Sequence, residues 1–320
     1  TAEEEAIAVE YLVDEPRDAD EVICEVANFA PVSRRKILCL SPREWLNDEV
    51  VNCFMGLLQA RQDADADALL RCHFFTSQWY AKLTEGGRYE FARVTRWTKK
   101  VDVLVKDLLI FPIHRNGNHW TLAVVNFLEK RFEYFDSMSH QDEHTGEYLA
   151  PEDGGVLANL RLYIKDEHHA AQKEAPWDDE GWTDHVWVAG KHNTPRQTNS
   201  WDCGVFMCKT ADLYAQDARL DFGQDDMGYF RRRMAIEIHN KELFAQGEPG
   251  VEEPQPRAPV VCSSGKAESS DAPPPPPPED SEEAEDGAEA EDGKGKEKED
   301  DGEEDEPCSV VLKRLKEDSI

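Results

Sequence analysis

Positive charge is scarce in this chain: 36 Lys and Arg stand against 67 Asp and Glu, for a formal net charge of −31 over 320 residues. Such a chain lacks the basic footprint of a general nucleic-acid binder, and no nucleic acid is expected as a partner. Nor does any apolar run approach the roughly 20 residues that span a bilayer, so no membrane partner is expected. The eight cysteines, at 24, 39, 53, 72, 203, 208, 262 and 308, include no Cys-x-x-Cys pair. Zinc is therefore not expected, nor is any other metal or cofactor. Scattered thiols, several among apolar neighbours, fit a reducing compartment, cytosol or nucleus. No secretory signal pattern is visible, and the start at Thr1 in an acidic stretch suggests a missing initiator region.

A second absence divides the chain. Residues 247–320 hold none of the eight Trp and none of the thirteen Phe. They carry 24 acidic and 8 basic residues and six consecutive prolines, Pro273 to Pro278. So little apolar surface cannot offset the entropy of ordering the segment, and a disordered acidic tail is expected. The remaining ~240 residues are enough for one domain with a full core, and a monomer is expected.

Within that domain the apolar pattern predicts mixed helix and strand. Val22-Ile23-Cys24 and Ile37-Leu38-Cys39-Leu40 read as strands or strand edges. Asn47 or Asp48 reads as a helix N-cap, followed by Val50, Val51, Phe54, Met55, Leu57 and Leu58 at helical spacing. Residues 103–113 and 120–128 read as buried strands, and 131–136 pairs with the second of these across the Glu129-Lys130 turn. Residues 156–164, 202–215 and 226–245 read as helices. The polar stretch 166–196 has no clear period and is long for a loop in a compact domain.

The most reactive-looking stretch is Gln197-Thr198-Asn199-Ser200-Trp201-Asp202-Cys203-Gly204. It ends in a cysteine at the start of an apolar segment, where helix N–H groups and the helix dipole favour a thiolate. A cysteine nucleophile needs a base, a group to orient that base, and donors for an oxyanion. His119 precedes one strand and Asp136 ends the next, seventeen residues on. An antiparallel hairpin sets those two ends side by side. Gln197 and the Cys203 backbone N–H would supply the oxyanion donors. Singly, each residue has a plainer reading: a hydrogen-bonded histidine, a turn aspartate, a core cysteine. Their joint presence favours catalysis.

Further segments carry a resemblance. They include Leu40-Ser41-Pro42-Arg43-Glu44-Trp45-Leu46-Asn47-Asp48, Phe74-Phe75-Thr76, Tyr80-Ala81-Lys82-Leu83 and Arg96-Trp97-Thr98-Lys99-Lys100-Val101-Asp102. Pro112-Ile113-His114, His119-Trp120, Tyr134-Phe135-Asp136-Ser137-Met138, Asp202-Cys203-Gly204, Leu220-Asp221-Phe222 and Arg231-Arg232-Arg233 complete them. Together they resemble the catalytic domain of the SUMO-specific cysteine proteases, the Ulp/sentrin-specific protease family, over roughly residues 20–246. The resemblance implies an α+β, papain-like cysteine protease core, with a central mixed sheet flanked by helices. It implies SUMO and SUMO conjugates as partners, and cleavage after the Gly-Gly end of SUMO. It also implies that Trp45 and Trp120 wall a tunnel through which only glycine can thread. Arg93, Arg96, Lys99 and Lys100, with Arg43 and Asp48 near the entry motif, are the candidates for contacting an acidic modifier. A solvated basic face is the plainer reading of Arg93 and Lys99. The domain boundaries that follow are an acidic extension over 1–19, a catalytic domain over 20–246 with an insertion about 140–195, and the tail over 247–320. Two other functions stay open: a protease for another ubiquitin-like modifier, and a SUMO-binding homologue without activity.

Overall fold

A computed structural model describes residues 2–12, 18–26, 29, 31–65, 70–138, 145, 149–171, 176–191 and 194–244. The tail expectation for 247–320 falls outside the described residues. In chain order the elements are α1 (Ala2–Leu12), β1 (Val22–Cys24), β2 (Val32–Ser33), α2 (Arg34–Ile37), α3 (Asp48–Ala64), β3 (Cys72–Phe74), α4 (Ser77–Leu83), β4 (Leu108–Arg115), β5 (His119–Asn126), β6 (Arg131–Asp136), α5 (Val156–Ala170), β7 (Thr183–Val188), α6 (Cys203–Ala215) and α7 (Met227–Asn240).

Strands β3 to β7 form one sheet in sequence order. The inner pairs β4–β5 and β5–β6 are antiparallel, and the outer pairs β3–β4 and β6–β7 are parallel. Period-two alternation splits the inner strands between two cores. Leu108, Ile110, Trp120, Leu122, Val124 and Phe135 pack with residues of α3, α6 and α7. Leu109, Phe111, Ile113, Ala123, Val125, Phe132 and Tyr134 pack with residues of α4 and α5. Burial on both faces is why these strands read as continuous apolar runs. The fold is therefore α+β, a mixed sheet between helices. Pro112 sits in β4 beyond Ile110, the last β4 residue paired with β3, so its missing N–H costs no ladder bond on that side.

Helix α3 starts where the sequence marks it. The Asn47 side chain accepts from Val50 N at 2.9 Å, and Asp48 and Glu49 occupy the first turn. Every residue from Val50 to Leu58 is buried, so α3 is enclosed rather than half-exposed. The one amide in that stretch, Asn52, is satisfied by Ser77 and Gln78.

Several expectations need correction. Ile37–Leu40 is the end of α2 followed by a 3-10 turn, not a strand. It has no ladder partner, and the carbonyl of Cys39 accepts from Arg231 instead. Residues Val103–Val105 form a 3-10 turn capped by Asp102, which delays the strand to Leu108. The stretch 166–196, expected to have no regular period, contains the end of α5 and the whole of β7. Leu157, Leu160, Tyr163 and Ile164 of α5 pack into one core, and β7 is one of the two edge strands of the sheet, with Trp187 stacked on Phe135. Within the acidic extension, α1 brings Tyr11 into the other core, where its hydroxyl meets His239 Nδ1 at 2.8 Å.

Candidate active site

Three elements converge on the site. His119 opens β5 and Asp136 closes β6, and the β5–β6 register, with Leu122 opposite Phe135, brings these ends within reach. His119 Nε2 lies 2.8 Å from Asp136 Oδ1. That oxygen also accepts from Met138 N at 2.9 Å, which fixes the carboxylate. Asp136 is buried and His119 is partly shielded. Cys203 is the first residue of α6, so its thiol stands at a helix N-terminus, as expected.

The electrostatics of His119 tie the three together. Burial opposes its charge, but hydrogen bonds to Asp136 and Cys203, and the charges of those groups, outweigh burial and hold the imidazole up at about 9. With Nε2 engaged by Asp136, Nδ1 is the nitrogen left for the thiol. Burial pushes the Cys39 thiol up to about 12 and the Cys208 thiol well above the usual thiol range.

Gly204 explains how α6 approaches its neighbour. A Cβ at this position would lie 2.8 Å from Leu46 Cβ, closer than real Cβ contacts. Only glycine lets the Cys203 turn press against the segment that carries Trp45. The two tryptophans sit differently from one another. Trp45 is 51% exposed, whereas Trp120 is 2% exposed, donates Nε1–H to Leu46 O at 2.8 Å and stacks on His114 with centroids 4.2 Å apart. One indole face of Trp120 is thus occupied by His114.

Gln197 is buried but does not offer a free amide. Its Nε2 donates to Asn199 O at 2.7 Å and to Asn199 Oδ1 at 3.2 Å, while its Oε1 accepts from Ser137 Oγ at 2.9 Å. The amide is oriented by both neighbours, and its N–H groups are directed at Asn199.

The charged candidates divide. Arg43 lies over the Trp201 ring, 5.9 Å from its centroid, beside the nucleophile loop. Asp48 accepts from Gln78 at 2.9 Å, and burial followed by the Glu49 contact raises its carboxyl. Arg93 is already matched, to Glu85 at 2.8 Å and Glu90 at 2.7 Å, so it is no free cation for a partner. Arg96, Lys99 and Lys100 are exposed and line a cleft of about 570 Å³ with Trp97 and Phe74. The structure also gives roles to four residues that the sequence places in quoted motifs but assigns no part: His114, Asn199, Asp202 and Arg231. Arg231 hides inside a run of three arginines of which only Arg232 is exposed.

Residues 44–243 match the Ulp1 protease family, C-terminal catalytic domain. The chain belongs to the Ulp1 protease family. Among this family's relatives, it is 37% identical over 204 residues to ubiquitin-like-specific protease ESD4 of Arabidopsis thaliana, covering 62% of this chain and 38% of that one. It is 34% identical over 213 residues to human sentrin-specific protease 2, covering 67% of this chain and 33% of the relative. The chain thus spans well under two thirds of these curated relatives. The fold is similar to that of a solved C-terminal Ulp1 protease domain in complex with Smt3, the yeast ortholog of SUMO. The TM-score is 0.60 and the identity 24%, with 75% of this chain and 95% of that one covered. A Chaetomium thermophilum Ulp1-like SUMO protease catalytic domain superposes with a TM-score of 0.57 at 22% identity, over 77% and 91% of the two chains.

Proposed function

We propose that this Ulp1-family domain is a SUMO-specific cysteine protease that hydrolyses the bond after the C-terminal Gly-Gly of SUMO, in a lysine isopeptide or in the precursor. The observation that carries the reading is the His119–Asp136 pair at 2.8 Å, with Cys203 at the start of α6 near enough to help hold the same imidazole up. A histidine held up at about 9 is an imidazolium at neutral pH, which suits a thiolate partner.

In the proposed reaction the Cys203 sulfur attacks the glycine carbonyl carbon and forms a C–S bond. The oxyanion takes hydrogen bonds from the Cys203 backbone N–H and from Gln197. For Gln197 this means exchanging its longer contact, the 3.2 Å bond to Asn199 Oδ1. As the C–N bond breaks, His119 passes its proton to the leaving amine. His119 then takes a proton from water, whose oxygen attacks the thioester, and the thiolate leaves. Asp136 orients the imidazole throughout. Trp45 and Trp120 exclude side chains from the path to Cys203, so glycine alone threads. Arg96, Lys99 and Lys100 offer unpaired cations to an acidic partner in an otherwise acidic domain. The enzyme works as an intracellular monomer, in nucleus or cytoplasm, on SUMO conjugates and not on nucleic acid or membranes. Among the described residues no helix is long and apolar enough to cross a membrane.

The test is turnover of a panel of modifier–lysine conjugates. Cleavage of SUMO conjugates, abolished by Cys203→Ser with SUMO binding kept, is the expected result. Cleavage of another modifier alone would replace the substrate assignment, and SUMO binding without any cleavage would remove the activity.

A further inference from the structure

Arg231, on α7, is 3% exposed, and its guanidinium makes an unusual set of contacts for a buried cation. Its Nε donates to Asp202 Oδ1 at 2.8 Å, and Nη2 lies 2.7 Å from the same oxygen. Nη1 donates to the carbonyls of Cys39 and Ser41 at 3.0 and 3.1 Å. Nη2 donates to the carbonyls of Glu44 and Trp201 at 2.8 and 3.1 Å. These acceptors come from two separate places. One is Trp201-Asp202, immediately before Cys203. The other is the turn from Cys39 to Glu44 that leads into Trp45. No other side chain type carries five donors in a rigid fork able to satisfy such a set.

The contacts continue beyond the pair. The second oxygen of Asp202 accepts from Asn199 Nδ2 at 2.6 Å and from Gln224 Nε2 at 2.7 Å. Asn199 is the residue that receives the Gln197 amide. A chain of hydrogen bonds therefore runs from Arg231 through Asp202 and Asn199 to the oxyanion donor. Asp202 also places a buried negative charge next in sequence to the nucleophile. A bare carboxylate there would oppose a thiolate.

We infer that Arg231 is a positioning residue, which fixes the nucleophile loop against the Trp45 segment and neutralises the carboxylate beside Cys203. It touches neither substrate nor reacting atoms. The inference rests on Cys203 being the nucleophile of the proposed function. It predicts two separable effects, one on geometry and one on charge. Arg231→Lys keeps the charge but loses the fork, so it loosens the two segments and leaves the thiolate supported. Arg231→Gln loses the charge, so the thiolate loses support as well.

The experiment compares the parent, Arg231→Lys, Arg231→Gln and the double variant Arg231→Gln/Asp202→Asn. Three quantities are read: thermal midpoint, the pH profile of Cys203 alkylation by iodoacetamide, and kcat and KM on a SUMO C-terminal fluorogenic amide. For Arg231→Gln the alkylation profile shifts to higher pH and kcat falls on the order of 10²-fold, the cost of misplacing reacting groups. Removing the uncompensated carboxylate in the double variant returns the alkylation profile toward the parent. Arg231→Lys keeps the parent alkylation profile while kcat falls. A double variant no better than Arg231→Gln, or a folded Arg231→Gln with parent profile and kcat, overturns the inference. Should Arg231→Gln fail to fold, parent-like kcat in Arg231→Lys overturns it. If the parent itself fails to cleave the SUMO amide, the function reading falls, and the alkylation profiles still decide the role of Arg231.

Discussion

Asp136→Asn is the perturbation whose consequences the geometry defines best. The replacement keeps the size of the side chain that receives His119 Nε2 and Met138 N but removes its charge. His119 is held up at about 9 from an ordinary 6.5. That difference corresponds to about 3 kcal/mol in favour of the imidazolium, shared between Asp136 and Cys203 and net of burial. Without the carboxylate, burial acts with less opposition and the histidine titrates lower. If the histidine returns to its ordinary 6.5, the imidazolium fraction at pH 7 falls about fourfold, and an amide in place of the carboxylate also permits the wrong ring tautomer. The descending limb of kcat/KM should therefore lie near 9 in the parent. In the variant it should move to lower pH, with kcat at neutral pH lower by about 10²-fold or more. Stability gives an independent check with a fixed sign. A histidine raised on folding adds stability that is full below its unfolded value of about 6.5 and is lost as pH rises through its folded value. The parent should thus exceed the variant most at about pH 6, and the gap should narrow as pH rises from about 6.5 and close by about pH 9 in urea titrations. A variant that kept the parent rate and the parent alkaline limb would refute Asp136 as the support of His119.

Two further perturbations separate packing from function. Gly204→Ala pushes a methyl into Leu46, and the strain should cost about 1–3 kcal/mol in denaturant titration, with activity lost beyond the stability change; a neutral substitution would show that the close approach is not needed. Trp45→Ala removes an indole that is half in water, so stability should change by no more than about 0.5 kcal/mol while kcat/KM on a Gly-Gly amide falls about tenfold or more; a large loss of stability with unchanged kcat/KM would make Trp45 a packing residue.

How much of this was legible in the sequence depends on the range of the interactions. The Asn47 cap, the β5–β6 hairpin and the placing of Cys203 at a helix start follow from local rules, and the structure brings His119, Asp136 and Cys203 together accordingly. Strand β7 was hidden because it is short and half-exposed, and it becomes a strand only by parallel pairing with β6. Ile37–Leu40 has strand-like composition, but its backbone is captured by a side chain far along the chain. The same long range hides Arg231, whose partners lie about 30 and 190 residues away in sequence. Arg93 shows the converse: a charge counted as available in the sequence is already used by Glu85 and Glu90 in the fold. The Gln197 position was readable, but its hydrogen bonds to Asn199 and Ser137 were not.

Covalent capture identifies the reacting sulfur and the modifier in one experiment. The intact chain is incubated with SUMO ending in an electrophile after Gly-Gly, beside matched probes built on other ubiquitin-like modifiers, and the modified residue is mapped by mass spectrometry. A SUMO adduct on Cys203 alone, lost in Cys203→Ala, is the expected result. An adduct on a different cysteine, or capture only by another modifier, would contradict it.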